Sequence, residues 1–162
     1  MDKASTTKAA ENAAESAAAD SKDDAFLHQC LFFTVNRLSR AITKMAEEEF
    51  AITGLSPMYG YLIRLVIGSP GISHKELSEK LAITSSTLTR FIDKLEGKQL
   101  VERNVQGKNV YLYPTDKSKE LLHTIRNASK NLHLRYDEIL GKEFADQLTE
   151  NLERSSEKLE KH

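Results

Sequence analysis

The sequence predicts a mainly α-helical protein with one small β-hairpin, and three observations predict it. Two capped helical segments follow each other between Ile72 and Glu96, with only Ala82 and Ile83 between Leu81 and the second cap, Thr84. An alternating stretch, Leu100 to Val105, then a Gln106-Gly107-Lys108-Asn109 turn and a returning Val110-Tyr111-Leu112-Tyr113 come directly after. Longer segments with helical apolar periodicity stand on both sides. Two short helices joined by a tight turn and followed by a hairpin make a winged helix-turn-helix.

Residues 1–24 hold eight alanines among Ser, Thr, Asp, Glu and Lys, with no large apolar side chain after Met1. Such a stretch cannot offset the entropy of ordering it, and a disordered tail is expected. A helix is expected from Ala25 to about Phe50, with Leu27, Leu31, Val35, Leu38, Ile42 and Met45 along one stripe. Phe26, Cys30 and Phe33 add a second strip, and a helix apolar on two sides needs a partner chain as well as its own core. Glu47-Glu48-Glu49 should end it in a solvated run. Ser56 and Pro57 then open the next helix as N-cap and first-turn residue. Tyr59, Leu62, Ile63, Val66 and Ile67 supply its buried face, and Gly68-Ser69-Pro70-Gly71 stops it. Arg64 interrupts that face, either paired with an acid or solvated.

Ser73 lies three residues before Glu76, the capping-box spacing, and Ile72 with Leu77 has the spacing of a hydrophobic staple. Thr84 caps the second helix, where Ile83 and Leu88 repeat the staple. That helix buries Leu88, Phe91, Ile92 and Leu95 on one stripe. Its other face carries Ser85, Ser86, Thr89, Arg90 and Lys94, with Asp93 the only acid nearby. Small hydroxyls can approach phosphates and base edges, and an Arg can bond bidentately to guanine. A recognition helix needs these residues, although an ordinary solvated face fits this helix alone. The hairpin favours recognition. Gly107-Lys108 suits a two-residue turn with Gly first, and Pro114-Thr115 closes the strand and caps the next helix.

Beyond the hairpin, Leu121, Leu122, Ile125, Ala128, Leu132, Tyr136, Ile139 and Leu140 mark a long helix, which Gly141 interrupts. Phe144, Leu148, Leu152 and Leu159 mark another, with the narrow spacing of a seam between helices. The expected organisation is a tail over 1–24 and one domain over 25–162. Within that domain, 55–119 is the winged helix, and 25–50 and 120–162 are dimerisation helices.

Composition fits a soluble domain, 40% apolar and 29% charged with net charge −1. The charge is uneven. Residues 72–119 hold nine Lys or Arg against six Asp or Glu, whereas 120–162 hold seven against nine. The positive excess lies in the expected DNA-reading segment. Cys30 is the single cysteine, so no intrachain disulfide is possible and a cytoplasmic setting is expected. No apolar run approaches about 18 residues and no leader is apparent, so neither a membrane span nor a signal peptide is expected. There is no Gly-rich phosphate loop and no HExxH, and the five histidines are scattered. His28 and Cys30 are two apart and face different sides of a helix. His123 and His133 could share a face, but surface or interface positions suit them better than zinc ligation. No enzyme activity, metal or cofactor is expected.

Leu81-Ala82-Ile83-Thr84-Ser85-Ser86-Thr87-Leu88-Thr89-Arg90-Phe91-Ile92-Asp93-Lys94-Leu95-Glu96, followed by Leu100-Val101-Glu102-Arg103, resembles the MarR (multiple antibiotic resistance regulator) family. Gly54-Leu55-Ser56-Pro57 and Pro114-Thr115-Asp116-Lys117 match its flanking landmarks, so the resemblance runs from about Phe26 to the C-terminus. It implies a homodimeric transcriptional regulator, in most members a repressor, on pseudo-palindromic double-stranded DNA. It implies DNA contacts from Ser85, Ser86, Thr87, Thr89, Arg90, Lys94, Arg103 and Lys108. Two departures stand out. The family's Asp-x-Arg wing pair is missing, leaving Lys108 as the cation at the tip, and Gln99 replaces a Gly before Leu100. Gly97 is therefore expected to supply the left-handed cap and to end the recognition helix early.

Several relatives bind phenolic ligands, which makes Phe33, Tyr59, Tyr61 and Arg64 candidates for an effector pocket, with core packing the alternative for the tyrosines. One branch senses organic peroxides through a lone Cys near the start of its first helix, and His28-Gln29-Cys30-Leu31-Phe32-Phe33 resembles that neighbourhood loosely. Apolar neighbours favour a packing role for Cys30, because they keep a thiol protonated. The alternative to DNA binding is a winged helix used as a protein-interaction module, with acidic ends that repel DNA.

Overall fold

Ser73, Thr84 and Thr115 each start a helix as their spacing predicts. Their hydroxyl oxygens accept the amides of Glu76 at 3.1 Å, Thr87 at 3.3 Å and Ser118 at 3.1 Å. Each bond satisfies a donor that the first helical turn leaves free. The computed structural model describes residues 24–162; the tail expected over 1–24 lies outside them, Asp24 excepted. The described residues divide into two compact units, 24–44 and 45–162.

Along the described residues run α1 (Ala25–His28), α2 (Leu31–Phe50), a 3-10 turn (Ala51–Thr53), α3 (Pro57–Gly68) and β1 (Ile72–Ser73). Then come α4 (His74–Leu81), α5 (Ser85–Gly97), β2 (Val101–Gln106), β3 (Asn109–Pro114), α6 (Asp116–Leu140) and α7 (Lys142–Glu160). The fold is mainly α with a small antiparallel sheet, ordered β1-β3-β2. The hairpin register pairs Gln106 with Asn109 and Val101 with Pro114. Gly107 takes φ +62° in the turn, a conformation that Gly adopts without steric cost.

The core explains why these elements pack. Phe50, Leu62, Ile63, Val66, Leu77, Leu88, Ile92, Leu95, Leu112 and Ile125 are buried from α2, α3, α4, α5, β3 and α6. Both staple pairs contribute, with Ile72, Leu77 and Leu88 buried and Ile83 packed at the edge. Tyr59 and Ile67 are only half-buried. Gly60 lets α3 approach closely, since a Cβ there would sit 2.6 Å from Phe50 Cε1.

The structure corrects several expectations. The helix expected from Ala25 is broken at Gln29–Cys30, where both amides bond back to the Leu27 carbonyl and close a tight turn. Ser56 caps α3 through its backbone, its carbonyl accepting the Gly60 amide at 3.1 Å, while its side chain makes no capping bond. Glu48 and Glu49 are not simply solvated, because Arg135 of α6 holds them at 2.7 and 3.2 Å. A third strand, β1, joins the wing. Two residues are too few for alternation to reveal a strand; pairing of Ile72 with Leu112 and Ser73 with Tyr111 creates it.

The end of α5 also differs. Gly97 stays helical, and Gln99 itself takes the left-handed conformation, φ +59°. The Leu100 amide bonds the Leu95 carbonyl at 2.9 Å and the Gln99 amide bonds that of Glu96 at 2.8 Å, a Schellman closure. Leu95 and Leu100 are both buried beneath it, and the Thr115 hydroxyl donates to the Gln99 carbonyl at 2.8 Å. These contacts hold a non-glycine residue in a conformation that costs about 1–2 kcal/mol.

Candidate nucleic-acid interface

The turn between α4 and α5 sets the recognition helix. Ala82 is left-handed, φ +51°, with the Ile83 amide bonded to the Ser78 carbonyl at 3.2 Å. The Ser78 hydroxyl returns to the Ile83 carbonyl at 2.6 Å, which clamps the two helices at a fixed angle. With Leu88, Ile92 and Leu95 buried, α5 turns Ser85, Ser86, Thr89, Arg90 and Lys94 outward, all exposed. Thr87 is half-buried and accepts from Arg90 Nη2 at 3.4 Å, so this hydroxyl orients a guanidinium.

Wing and helix frame one groove. A space of about 560 Å³ is lined by Ser73, His74 and Lys75 of the α4 start, by Ser85, Thr89 and Ile92 of α5, and by Arg103, Lys108, Asn109, Val110 and Tyr111 of the wing. Lys108 is exposed at the hairpin tip. Ser85, Thr89, Arg103 and Lys108 thus come together, while Ser86, Thr87, Arg90 and Lys94 lie on α5 outside this groove.

Arg103 is held differently from the other cations. Its Nη2 pairs with Asp93 and its Nε lies 2.8 Å from Glu96 Oε2. The second contact is an ion pair by distance, not a directed bond, since Nε is buried without a hydrogen-bond partner. The hydrogen bond that the guanidinium donates to Asp93 is the main influence raising its pKa above the usual value. With 28% of its side chain exposed, Arg103 ties the wing to α5, its guanidinium engaged by two carboxylates.

Sequence reasoning missed His74 and Lys75. His74 Nε2 lies 3.1 Å from the Thr89 hydroxyl. Burial first, then the charge of Arg103, lower the pKa of this imidazole. Both residues follow the Ser73 cap directly, and the first turn of the leading helix in such a motif was the signal available.

Of the effector candidates on α3, Tyr61 and Arg64 share a groove that Tyr59 does not line. Tyr59 and Tyr61 are two apart on α3 and leave it on different sides. Tyr59 meets Phe91 edge-on at 4.9 Å, while Tyr61 meets Phe50 at 5.5 Å. Tyr61 and Arg64 line an open groove of about 460 Å³ with Met58, Leu65, Lys80 and Leu81, and no acid pairs with Arg64 among the described residues. Phe33 belongs to the unit of residues 24–44 and packs edge-on with His28 at 6.0 Å. Cys30 is free and half-buried. It lies at the break before α2, not inside a continuous helix, and its carbonyl accepts the Thr34 amide and hydroxyl at 3.0 and 3.1 Å. Among the described residues no helix alone is long and apolar enough to cross a membrane, and no three His, Cys, Asp or Glu side chains group as a metal site. His133 instead bonds the Ser129 carbonyl at 2.8 Å.

A family model described as MarR family matches residues 62–105. The Bacillus subtilis (strain 168) protein YybA, an uncharacterised HTH-type transcriptional regulator, is 28% identical over 101 residues, 60% of this chain and 67% of that protein. Among solved structures, the transcriptional repressor CouR bound to p-coumaroyl-CoA superposes with a TM-score of 0.74 at 23% identity, covering 80% of this chain and 94% of that one. CouR bound to a 23-mer DNA duplex gives 0.72 over the same shares. A MarR protein from Peptoclostridium difficile gives 0.70 at 25% identity, over 81% and 88%.

Proposed function

We propose that the chain, whose residues 62–105 match a MarR family model, is a DNA-binding transcriptional regulator and not an enzyme. The observation that carries this reading is the outward face of α5, which exposes two serines, Thr89, Arg90 and Lys94, with Ser85 and Thr89 sharing a groove with the wing cation Lys108. We infer further that it acts in the cytoplasm as a homodimeric repressor on a pseudo-palindromic operator. Two recognition helices about 34 Å apart read successive major grooves of B-DNA. The exposed apolar side chains of α1, α2, α6 and α7 support dimerisation through those helices.

Release by a small effector completes the proposal. CouR is a repressor with an aromatic thioester bound. In this chain the groove at Tyr61, Arg64 and Lys80 offers an aromatic wall and two cations, suited to an aromatic acid. Oxidation of Cys30 is the second route, favoured by its place at the start of α2 rather than within a helix. Gel-shift binding to the DNA flanking the protein's own gene, with and without phenolic acids or an organic hydroperoxide, tests both routes. A Cys30→Ser variant separates them. Salt separates DNA binding from a protein-interaction role, because counterion release makes DNA affinity fall steeply with salt. A salt-independent interaction, or none with any duplex, would overturn the regulator reading.

A further inference from the structure

The groove between α4, α5 and the wing holds one side chain that the DNA-reading set above does not use. His74 opens α4, lines the groove with Lys75, Ser85 and Lys108, and is joined to the recognition helix through Thr89. We propose that His74 is a DNA-phosphate contact and that its protonation couples DNA binding to pH. This inference rests on the DNA-binding reading.

The hydrogen bonds fix which nitrogen carries a proton. The Thr89 hydroxyl has one hydrogen and donates it to the Ser85 carbonyl at 3.0 Å. Its oxygen must therefore accept from His74, and Nε2 is the protonated nitrogen. Nδ1 is left to gain or lose a proton. Protonation there adds a positive charge to the groove without breaking the link to Thr89, so the recognition helix keeps its support in both charge states.

The groups around the groove decide the direction. Lys75 on α4, Arg103 on β2 and Lys108 in the hairpin turn contribute positive charge, and β3 contributes the Tyr111 phenol and Asn109. From α5 come the neutral Ser85 and Thr89; Asp93 and Glu96 reach this region as the partners of Arg103. In the free protein, burial and Arg103 both disfavour the imidazolium. A phosphate entering the groove reverses the balance, since an opposite charge nearby favours the protonated form. Binding then takes up a proton, and affinity rises as pH falls through the histidine range.

The test needs no operator, because phosphate contacts support sequence-independent binding. Anisotropy of a labelled random-sequence duplex at low salt, between about pH 8 and about pH 5.5, is expected to show about tenfold tighter binding at the acidic end. His74→Gln keeps an N–H for Thr89 but cannot titrate, and its affinity is expected to lose that slope. The slope is the readout, which a general loss of affinity does not flatten. Titration of the His74 ring protons by NMR, with and without the duplex, reads the same linkage without a variant and is expected to move upward with DNA. A slope that survives in His74→Gln, a flat wild-type profile or an unmoved ring titration overturns the proposal while leaving DNA binding intact. Absence of duplex binding at every pH overturns the DNA reading and this inference together.

Discussion

The winged helix and the helices that flank it in sequence finish their burial in different ways. In the winged helix the stripe of α5, the staples of α4 and α5 and the inner face of β3 close on one another, and Leu62, Leu77, Leu88, Leu95 and Leu112 are fully buried. The flanking helices leave large apolar side chains outside. Phe26 is 65% exposed and Phe32 78%, and towards the C-terminus Phe144 is 55% exposed and Leu159 68%. Large exposed apolar surface marks an interaction site in a soluble protein. One region is complete as a single chain; the others leave apolar surface exposed, which the proposed homodimer would cover.

Changing that outer surface has the largest expected effect. Burying one Phe contributes about 1.5–3 kcal/mol, and twofold symmetry applies each change twice. Phe144→Glu is expected to weaken self-association by about 3–6 kcal/mol, seen as a shift toward monomer in sedimentation velocity with unchanged helical circular dichroism. A protein that sediments identically with and without the substitution would break the comparison. Leu88→Ala addresses the other side. It removes a side chain with no exposed surface and is expected to lower stability by about 2–5 kcal/mol in urea unfolding. A loss well under 1 kcal/mol would mean that the winged helix is not the self-sufficient part.

The next two sharpen the comparison within the winged helix. Arg90 is exposed and oriented by Thr87, so Arg90→Ala should leave stability nearly unchanged. It should weaken operator binding by about 1–3 kcal/mol and relax preference at one base position. Equal preference across a panel of single-base operator variants would remove Arg90 from base reading. Gln99→Gly has the smallest expected effect, a gain of about 0.5–1 kcal/mol in stability, because Gly adopts the left-handed conformation without the Cβ clash. Loss of stability on that change would show that the Gln99 side chain contributes more than its backbone strain costs.

Most helix starts were legible because a cap is a local device. A hydroxyl three residues before the amide it accepts is spelled out in the chain at Ser73, Thr84 and Thr115. Apolar spacing assigned the buried stripe of α5, and with it the outward face of Ser85, Ser86, Thr89, Arg90 and Lys94. The Gly107-Lys108 turn fixed the hairpin register. These features depend on neighbours within a few residues, and short-range sterics and hydrogen bonding are what a sequence encodes directly.

Only the tertiary structure decided the rest. Arg103 reads as one more wing cation until folding brings Asp93 and Glu96 to it from α5. Gln99 is left-handed because buried Leu95 and Leu100 and the Thr115 hydroxyl outweigh a local preference for Gly. The Tyr61–Arg64 groove without Tyr59, and the His74–Thr89 link across fifteen positions, likewise arise from contacts between separate elements. Sequence by itself determined where most helices start and which face α5 shows. Tertiary packing decided which charges are neutralised and which remain free to meet a ligand, because charge pairing depends on distance in space rather than along the chain.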